Sequence, residues 1–477
     1  MSLNRTINLL LILLIISIPF YGFSFINFNN RGIPVSWILS FFIITVIFIK
    51  IRKNKLTISI MELLLTFFII ESFFTIFNIF EYGVSNLISF STLFLQYCLR
   101  YLILMSIIRA RININIIYDL VKTWIYISLL VGLYGFYQGI ARLYKLPFYN
   151  LSLTNKSFSA SQRMGGYGAS SFLRVTSIFG EPSWYGAYII VSIIFLITFF
   201  LYHKDNFVLF NKKFMMLSLL FLIICLIQTG SIGAYISFVL VLSIIIFHEI
   251  FLFKNKMVSL KVLFLIIILV IFILVFVLIS DYQTKIFLKN KMIKILRLPL
   301  SIKIIDNKII TETNIASLGY RLEMITSSLM VWEQSSLTQK IFGKGLNYLE
   351  SSDIYTYDRR APLNSAPNNY TKVLIDQGIL GLIILIFFLL YIVIRYILDY
   401  KKILFLYKNK MISKYNFYRF ITLSNSFYYI IWYYIFNFLV NIWKIEHWII
   451  FGLFILISKN KYRFLSYNES SNSNKKL

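Results

Sequence analysis

One short stretch places a cation and a carboxylate just before a long apolar run. Arg174 stands seven residues before Glu181, and Pro182 follows at once, ahead of the apolar residues 183–202. Proline suits the first turn of a helix and pushes the residue before it into an extended conformation. The backbone N–H groups of Ser183, Trp184 and Tyr185 would then lie at a positively polarised helix end. A phosphate can bind there, and a neighbouring carboxylate can accept a proton.

The same residues also allow a purely structural interpretation. An acidic residue in front of a helix stabilises the positive end of the helix dipole. An arginine near a membrane surface can bury its stem and keep its guanidinium in water. The spacing of Arg174 and Glu181 alone does not decide between these two interpretations.

The composition places this stretch in a membrane protein. The chain has 477 residues, of which 59% are hydrophobic and 18% aromatic, and its mean hydropathy is +0.77. Such long and frequent apolar runs predict a polytopic α-helical membrane protein. Cys98 and Cys225 both lie inside apolar runs and give no indication of a disulfide, and the histidines are too scattered for a metal site, so we expect none.

About twelve apolar segments are candidates to cross the membrane as helices. They are approximately 7–28, 33–49, 56–80, 87–108, 123–140, 183–202, 214–229, 231–249, 260–280, 369–394, 419–441 and 446–458. Lysine and arginine are concentrated in alternate loops, which explains most of the net charge of +28. Because basic loops stay on the cytoplasmic side, this alternation predicts that both termini are cytoplasmic.

Two loops on the predicted outer side are much longer than the others, and they define the domain organisation. Residues 1–280 hold nine transmembrane helices and a first external loop at 141–182, and residues 281–368 form a large external loop. Residues 369–458 hold three more helices, and 459–477 form a polar cytoplasmic tail. The fold class is therefore all-α and polytopic. The large loop is predicted to contain an amphipathic helix with Arg321 in its first turns, from the spacing of Leu318, Leu322, Ile325, Leu329 and Trp332.

Charged residues inside the apolar segments predict two ion pairs. A straight hairpin of the third and fourth segments places Arg100 at a depth between those of Glu71 and Glu62, so we expect an ion pair there, with a proton relay as the alternative. Lys372 and Asp376 are four residues apart near the start of the tenth segment, where they can pair on one helix face.

Three motifs resemble those of a known family. Residues 174–186, with the pattern R-x-x-S-x-F-x-E-P-S-W-Y-G, resemble the signature of Wzy-type O-antigen and capsular polysaccharide polymerases, which are relatives of the O-antigen ligases. Gly319–Tyr320–Arg321 and the later Phe342–Gly343–Lys344–Gly345 resemble the R…W…G-x-G segment of their large periplasmic loop. Residues 368–370 and 376–381 resemble the element that leads into the next span. Ligases typically carry a histidine at this place, where this chain has Asn368 or Asn369.

The resemblance implies a glycosyltransferase that joins undecaprenyl-pyrophosphate-linked oligosaccharide units into O-antigen or capsular polysaccharide, with no cofactor. It would work on the outer face of the bacterial cytoplasmic membrane. Arg174 and Arg321 would hold the pyrophosphate, because guanidinium groups fit phosphate oxygens bidentately, and Glu181 would accept the proton of the attacking hydroxyl. The remaining substrate contacts would come from Tyr185, Ser183, Arg142, Asn368 and Asn369.

The implied partners are lipid-linked oligosaccharides and membrane lipid, with a chain-length regulator and a flippase of the same pathway, and no nucleic acid. Three alternatives stay open. A ligase that transfers glycan to a lipid or cell-wall acceptor has most of the same layout. A flippase for lipid-linked oligosaccharides needs only small external loops, which disfavours it here. A sensor or scaffold would have no need of Arg174 beside Glu181.

Overall fold

The structure is a computed structural model that describes the chain in separate ranges. These are residues 3–28, 31–51, 60–79, 84–109, 114–155, 162, 174–202, 210–253, 263, 267, 302–305, 308–311, 325, 327–351, 368–408, 414–439, 448–450 and 452–453. The ninth predicted span, at 260–280, lies almost wholly outside these ranges, as does much of the large external loop. Arg321 lies outside them as well.

The described chain is dominated by helices, in agreement with the predicted class. Their bounds are α1 Leu3–Ser17, α2 Val35–Ile51, α3 Ile60–Phe74, α4 Ile76–Ile79, α5 Val84–Arg109, α6 Ile114–Tyr144, α7 Pro182–Leu201, α8 Lys212–Gln228, α9 Ile232–Phe253, α10 Leu337–Phe342, α11 Tyr348–Ser351, α12 Asn369–Lys408 and α13 Lys414–Leu439. By length and composition, five described segments can cross a membrane: Arg5–Gly22, Phe90–Arg109, Ile116–Tyr144, Pro182–Leu201 and Asn369–Tyr400. The number twelve stays a prediction.

Helix α7 lies at the centre of the bundle. It is buried along nearly its whole length and contacts α6, α8, α9 and α13. A helix that is apolar all round is expected to lie inside a bundle, since it has no polar face to present. Gly186 allows α9 to approach closely, because a methyl group there would lie 2.7 Å from the Cβ of Ala234. The Glu181–Pro182 motif therefore starts the central helix.

The first predicted span is shorter than the apolar run suggested. Helix α1 ends at Ser17, and a 3-10 turn at Ile18–Gly22 leads into β1 (Ser24–Phe28), which pairs with β2 (Arg31–Pro34). Pro19 explains this end, because proline cannot donate the next helical hydrogen bond. A second hairpin joins β3 (Ile302–Ile305) to β4 (Lys308–Thr311). Both hairpins are additions to the all-α prediction.

The expected ion pair of Arg100 is wrong. Arg100 donates to Gln96 Oε1 at 3.1 Å on its own helix, and Glu62 pairs with Arg109, Nε to Oε1, at 3.7 Å. The predicted depth of Arg100 required a straight helix before the hairpin turn, whereas the chain is interrupted at Thr75 between α3 and α4. The pair is therefore displaced along α5 toward its C-terminal end.

The predicted topology can be checked with reporter fusions. Fusions at Lys53, Lys212 and Lys408 should report the cytoplasm, because these positions lie in the basic loops. Fusions at Ser161 and Tyr355 should report the outside. A cytoplasmic signal from either of these two would overturn the assignment of the outer face.

Candidate active site

Two buried glutamines hold the segment 174–181 in place at the start of α7. Gln138 of α6 accepts from the backbone N–H groups of Thr176 and Ser177, at 2.9 and 2.8 Å. Gln138 also donates to Gln162 Oε1 at 2.9 Å, and Gln162 donates to the carbonyls of Ser177 and Phe179. These side chains satisfy backbone groups that belong to no helix or strand, so the segment has a defined shape.

Arg174 lies at a tight contact with the turn between α8 and α9. Its φ of 65° is unusual for a residue with a side chain. The next residue, Val175, donates to the carbonyl of Gln228 at 3.3 Å. Gly230 has a φ of +56°, and a methyl group there would lie 2.8 Å from Arg174 Cγ. The backbone thus fixes the base of Arg174 while its side chain stays exposed.

The structure brings Arg142 close to Arg174. Arg142 lies in the last turn of α6, and the two guanidinium charges are near enough to interact, together with the Tyr149 hydroxyl. Two like charges within electrostatic range of each other repel, and a shared anion relieves that repulsion. This pair is suited to a ligand with two negative phosphate groups, such as a pyrophosphate.

Glu181 begins α7 with its backbone and leaves its carboxylate out of the helix. It has the extended conformation expected before proline (φ −138°, ψ 146°), and its side chain makes no capping hydrogen bond. Its carbonyl accepts from the N–H groups of Trp184 and Tyr185, at 3.2 and 3.3 Å. These two groups are therefore not open to a ligand, since they close the first helical turn. The hydroxyl of Ser183 donates to Glu181 Oε2 at 3.5 Å.

Tyr185 occupies a packing position. It is fully buried, and its ring end lies against Gly135 and near Cys225, between α6 and α8. A substrate contact through its hydroxyl would require α6 and α8 to move apart. Its role in substrate binding stays a prediction, as does that of Ser183.

Asn368 and Asn369 lie at the start of α12, in a second polar cluster. Asn368 Oδ1 accepts from the N–H and the hydroxyl of Thr371, at 2.8 and 3.0 Å, so its side chain caps the helix. Asn369 is buried beside it. One turn further on, Lys372 pairs with Asp376 at 3.2 Å, which confirms the predicted i, i+4 pair. Lys372 also donates to Asn347 Oδ1 at 3.0 Å.

The turn Gly343–Lys344–Gly345 docks on α12 near Gly378, where that helix is interrupted. Lys344 and Gly345 donate their backbone N–H groups to the carbonyls of Ile375 and Asp376, at 2.8 and 3.1 Å. Gly378 has a φ of 69°, and a side chain there would collide with the backbone of Ile341. The backbone N–H groups of the turn are thus already bonded within the chain. This rules out an anion nest formed by those groups.

Sequence reasoning missed Gln138, Gln162 and Asn347. Gln138 lies in the apolar segment 123–140, and an isolated amide inside such a segment is a usable signal, because a buried amide needs partners. Gln162 and Asn347 lie in polar loops, where nothing in the sequence distinguishes them from their neighbours. Among the residues that the structure describes, no group of three or more His, Cys, Asp or Glu side chains is placed to hold a metal ion.

The comparison with protein families bears on the second cluster. Residues 217–386 match the family model described as O-Antigen ligase. The match supports the O-antigen ligase/polymerase superfamily, whose members are glycosyltransferase-like enzymes of the membrane. It begins inside α8, includes the Gly343–Gly345 turn and ends inside α12, so that Arg174 and Glu181 precede it. No curated protein matches the chain.

The role of Gln138 leads to a prediction. Gln138→Leu should lower polymer yield at least about tenfold, because the buried N–H groups of Thr176 and Ser177 lose their acceptor, at a cost of about 1–3 kcal/mol each. Limited proteolysis should then cut the segment 174–181 faster. Gln334→Leu is the control, since Gln334 is an exposed glutamine far from residues 174–181 in the sequence. Equal polymer yield from the two variants would contradict the positioning role.

Proposed function

We propose that the chain polymerises undecaprenyl-pyrophosphate-linked oligosaccharide units on the outer face of the bacterial cytoplasmic membrane. The observation that carries this proposal is that Arg142 and Arg174 lie within electrostatic range of each other at the end of the bundle where α7 begins. Two guanidinium groups can neutralise a pyrophosphate as it leaves, which is the step in which negative charge develops. Glu181 stands at the start of the same helix and supplies a carboxylate outside the helix cap.

The proposed reaction transfers a glycan from one lipid carrier to another. The acceptor hydroxyl oxygen attacks the anomeric carbon of the growing chain, and the bond from that carbon to the pyrophosphate oxygen breaks. Glu181 takes the hydroxyl proton. The departing undecaprenyl pyrophosphate is held by Arg142 and Arg174, with Arg321 as a further predicted contact. The reaction needs no oxidant and no external energy source, because the pyrophosphate is the leaving group.

The capping role of Asn368 supports polymerase over ligase. An amide side chain has no basic nitrogen, and the Oδ1 of Asn368 already accepts two hydrogen bonds from Thr371. The position where ligases typically carry a histidine therefore offers no base. This leaves Glu181 as the proton acceptor in the proposed mechanism. The chain-length regulator and flippase of such a pathway are the proposed protein partners.

An assay with purified protein tests the proposal. The protein is incubated with a lipid-linked repeat unit, and the products are separated on a gel. A ladder of products supports polymerisation. A single addition to a foreign lipid or cell-wall acceptor identifies a ligase instead, and translocation of the lipid without any product identifies a flippase.

A further inference from the structure

Glu71 of α3 and Gln377 of α12 face each other inside the helix bundle. A methyl group placed at Gly381 would lie 3.0 Å from Gln377 Oε1 and 3.2 Å from Glu71 Oε2, so both oxygens border the same small space. Gln377 is fully buried and Glu71 is 6% exposed. Two acceptor groups that share a buried space need a donor or a cation between them.

Three oxygens in this space have no hydrogen-bond partner within the described part of the chain: Glu71 Oε1, Glu71 Oε2 and Gln377 Oε1. The orientation of the Gln377 amide is fixed by Ser72. The Ser72 hydroxyl donates to the carbonyl of Phe68 at 2.7 Å, so it can only accept from Gln377, which must present its Nε2. Gln377 Oε1 is therefore directed away from Ser72.

Among the residues that the structure describes, the charges of the cluster leave one negative charge unbalanced. Glu71 and Asp376 are close enough for their carboxylates to repel each other. Lys372 pairs with Asp376 at 3.2 Å and donates to Asn347, so its charge offsets that of Asp376. A single buried carboxylate without a counter-charge is strongly unfavourable. The cluster thus matches a ligand with one positive charge.

The backbone is also interrupted on both sides of this cluster. Helix α3 ends at Phe74, one turn after Glu71, and α12 is broken at Gly378, next to Gln377. Asn78 of α4 donates to the carbonyl of Gly343 at 2.5 Å, which ties the α3–α4 break to the Gly343–Gly345 turn. In secondary transporters, interrupted helices that meet inside the bundle coordinate coupling cations such as Na⁺.

We propose that Glu71 and Gln377, with the Lys372–Asp376 pair nearby, form a binding site for a monovalent cation of the size of Na⁺. If Glu71 is protonated, the protonated oxygen can donate a hydrogen bond to Gln377 Oε1. The other carboxyl oxygen of Glu71 is then still without a partner. A metal ion can contact all three oxygens. A divalent ion would leave an excess positive charge, and Mg²⁺ needs a near-octahedral oxygen shell. The bound cation holds α3, α12 and the docked turn together, and this role does not depend on the proposed glycosyl transfer.

The test measures thermal unfolding of the purified full-length protein in detergent. The Tm is followed by tryptophan fluorescence in NaCl and in choline chloride at the same ionic strength. We expect the Tm to rise with Na⁺ concentration and to saturate, since a ligand that binds only the folded state stabilises it. Glu71→Gln should remove this dependence. Glu62→Gln is the matched control, because Glu62 lies on the same helix but pairs with Arg109, and it should keep the Na⁺ response.

A second variant keeps both charges and crowds the Gln377 side chain, because a methyl group at Gly381 would also lie 2.4 Å from Gln377 Cβ. The methyl group of Gly381→Ala would also press on Gln377 Oε1 and Glu71 Oε2. The Na⁺ concentration that gives half of the Tm increase should therefore rise at least about tenfold. Equal Tm values in NaCl and choline chloride would overturn the proposal. A second result would also overturn it. If the Tm of the unchanged protein depends on pH at constant Na⁺, and the Tm of Glu71→Gln stays at the value that the unchanged protein has at acidic pH, then the ligand of Glu71 is a proton.

Discussion

Glu181→Gln is expected to abolish chain growth while the protein still binds its lipid-linked substrate. Glutamine keeps the size and most hydrogen bonds of the side chain but removes the basic oxygen. Loss of a general base lowers a rate by about 10²–10⁴, which is enough to erase a polymer ladder. Helix α7 should keep its start, because the backbone of Glu181 and not its carboxylate caps the helix. The measurements are the product ladder and retention of the lipid-linked unit.

Glu333→Gln is the control for this prediction. Glu333 is an exposed carboxylate in the helical residues 327–333 of the large loop, and its neutralisation should leave the ladder unchanged. Chains of normal length and amount from Glu181→Gln would exclude the base role. Glu181 would then serve only as the residue that precedes α7.

Arg174→Gln and Arg142→Gln are each expected to reduce chain growth at least about 100-fold, and Arg174→Gln should do so without loss of stability. The exposed Arg174 side chain is repelled by the charge of Arg142 when no anion is bound, so removing the Arg174 charge should leave the Tm unchanged or raise it. If Arg174 only forms a surface salt bridge with Glu181, we expect a different result. The variant should then lose about 0–1 kcal/mol of stability and little activity. Polymer yield and Tm, measured on the same preparations, separate the two cases.

Two further variants sharpen this second prediction. Arg174→Lys should keep part of the activity, because lysine retains the charge but not the bidentate fork. Lys145→Gln is the control, since Lys145 is an exposed cation one residue beyond α6 and close in sequence to Arg142. If Lys145→Gln reduces chain growth as much as Arg142→Gln, the effect is one of general surface charge and the arginine pair is not a specific site.

Features that depend on neighbouring residues along the chain could be predicted from the sequence. Helix α7 begins at Pro182 as expected, because proline restricts the backbone of Glu181 and suits a first helical turn. The pair of Lys372 and Asp376 forms as expected, because residues four apart lie on the same helix face. The helical class follows equally directly, since a backbone inside a membrane must satisfy its own hydrogen bonds.

Contacts between distant segments were decided only by the tertiary structure. Arg109, and not Arg100, pairs with Glu62, because the break at Thr75 changes the register between α3 and α5. Arg142 comes within electrostatic range of Arg174 because Gln138 and Gln162 hold residues 176–179 against α6. Spacing in the sequence contains no information about such contacts, since they depend on where each helix breaks and which loop docks against it. The sequence alone could therefore locate the motif with Arg174 and Glu181, and only the tertiary structure showed which residues of other segments lie near it.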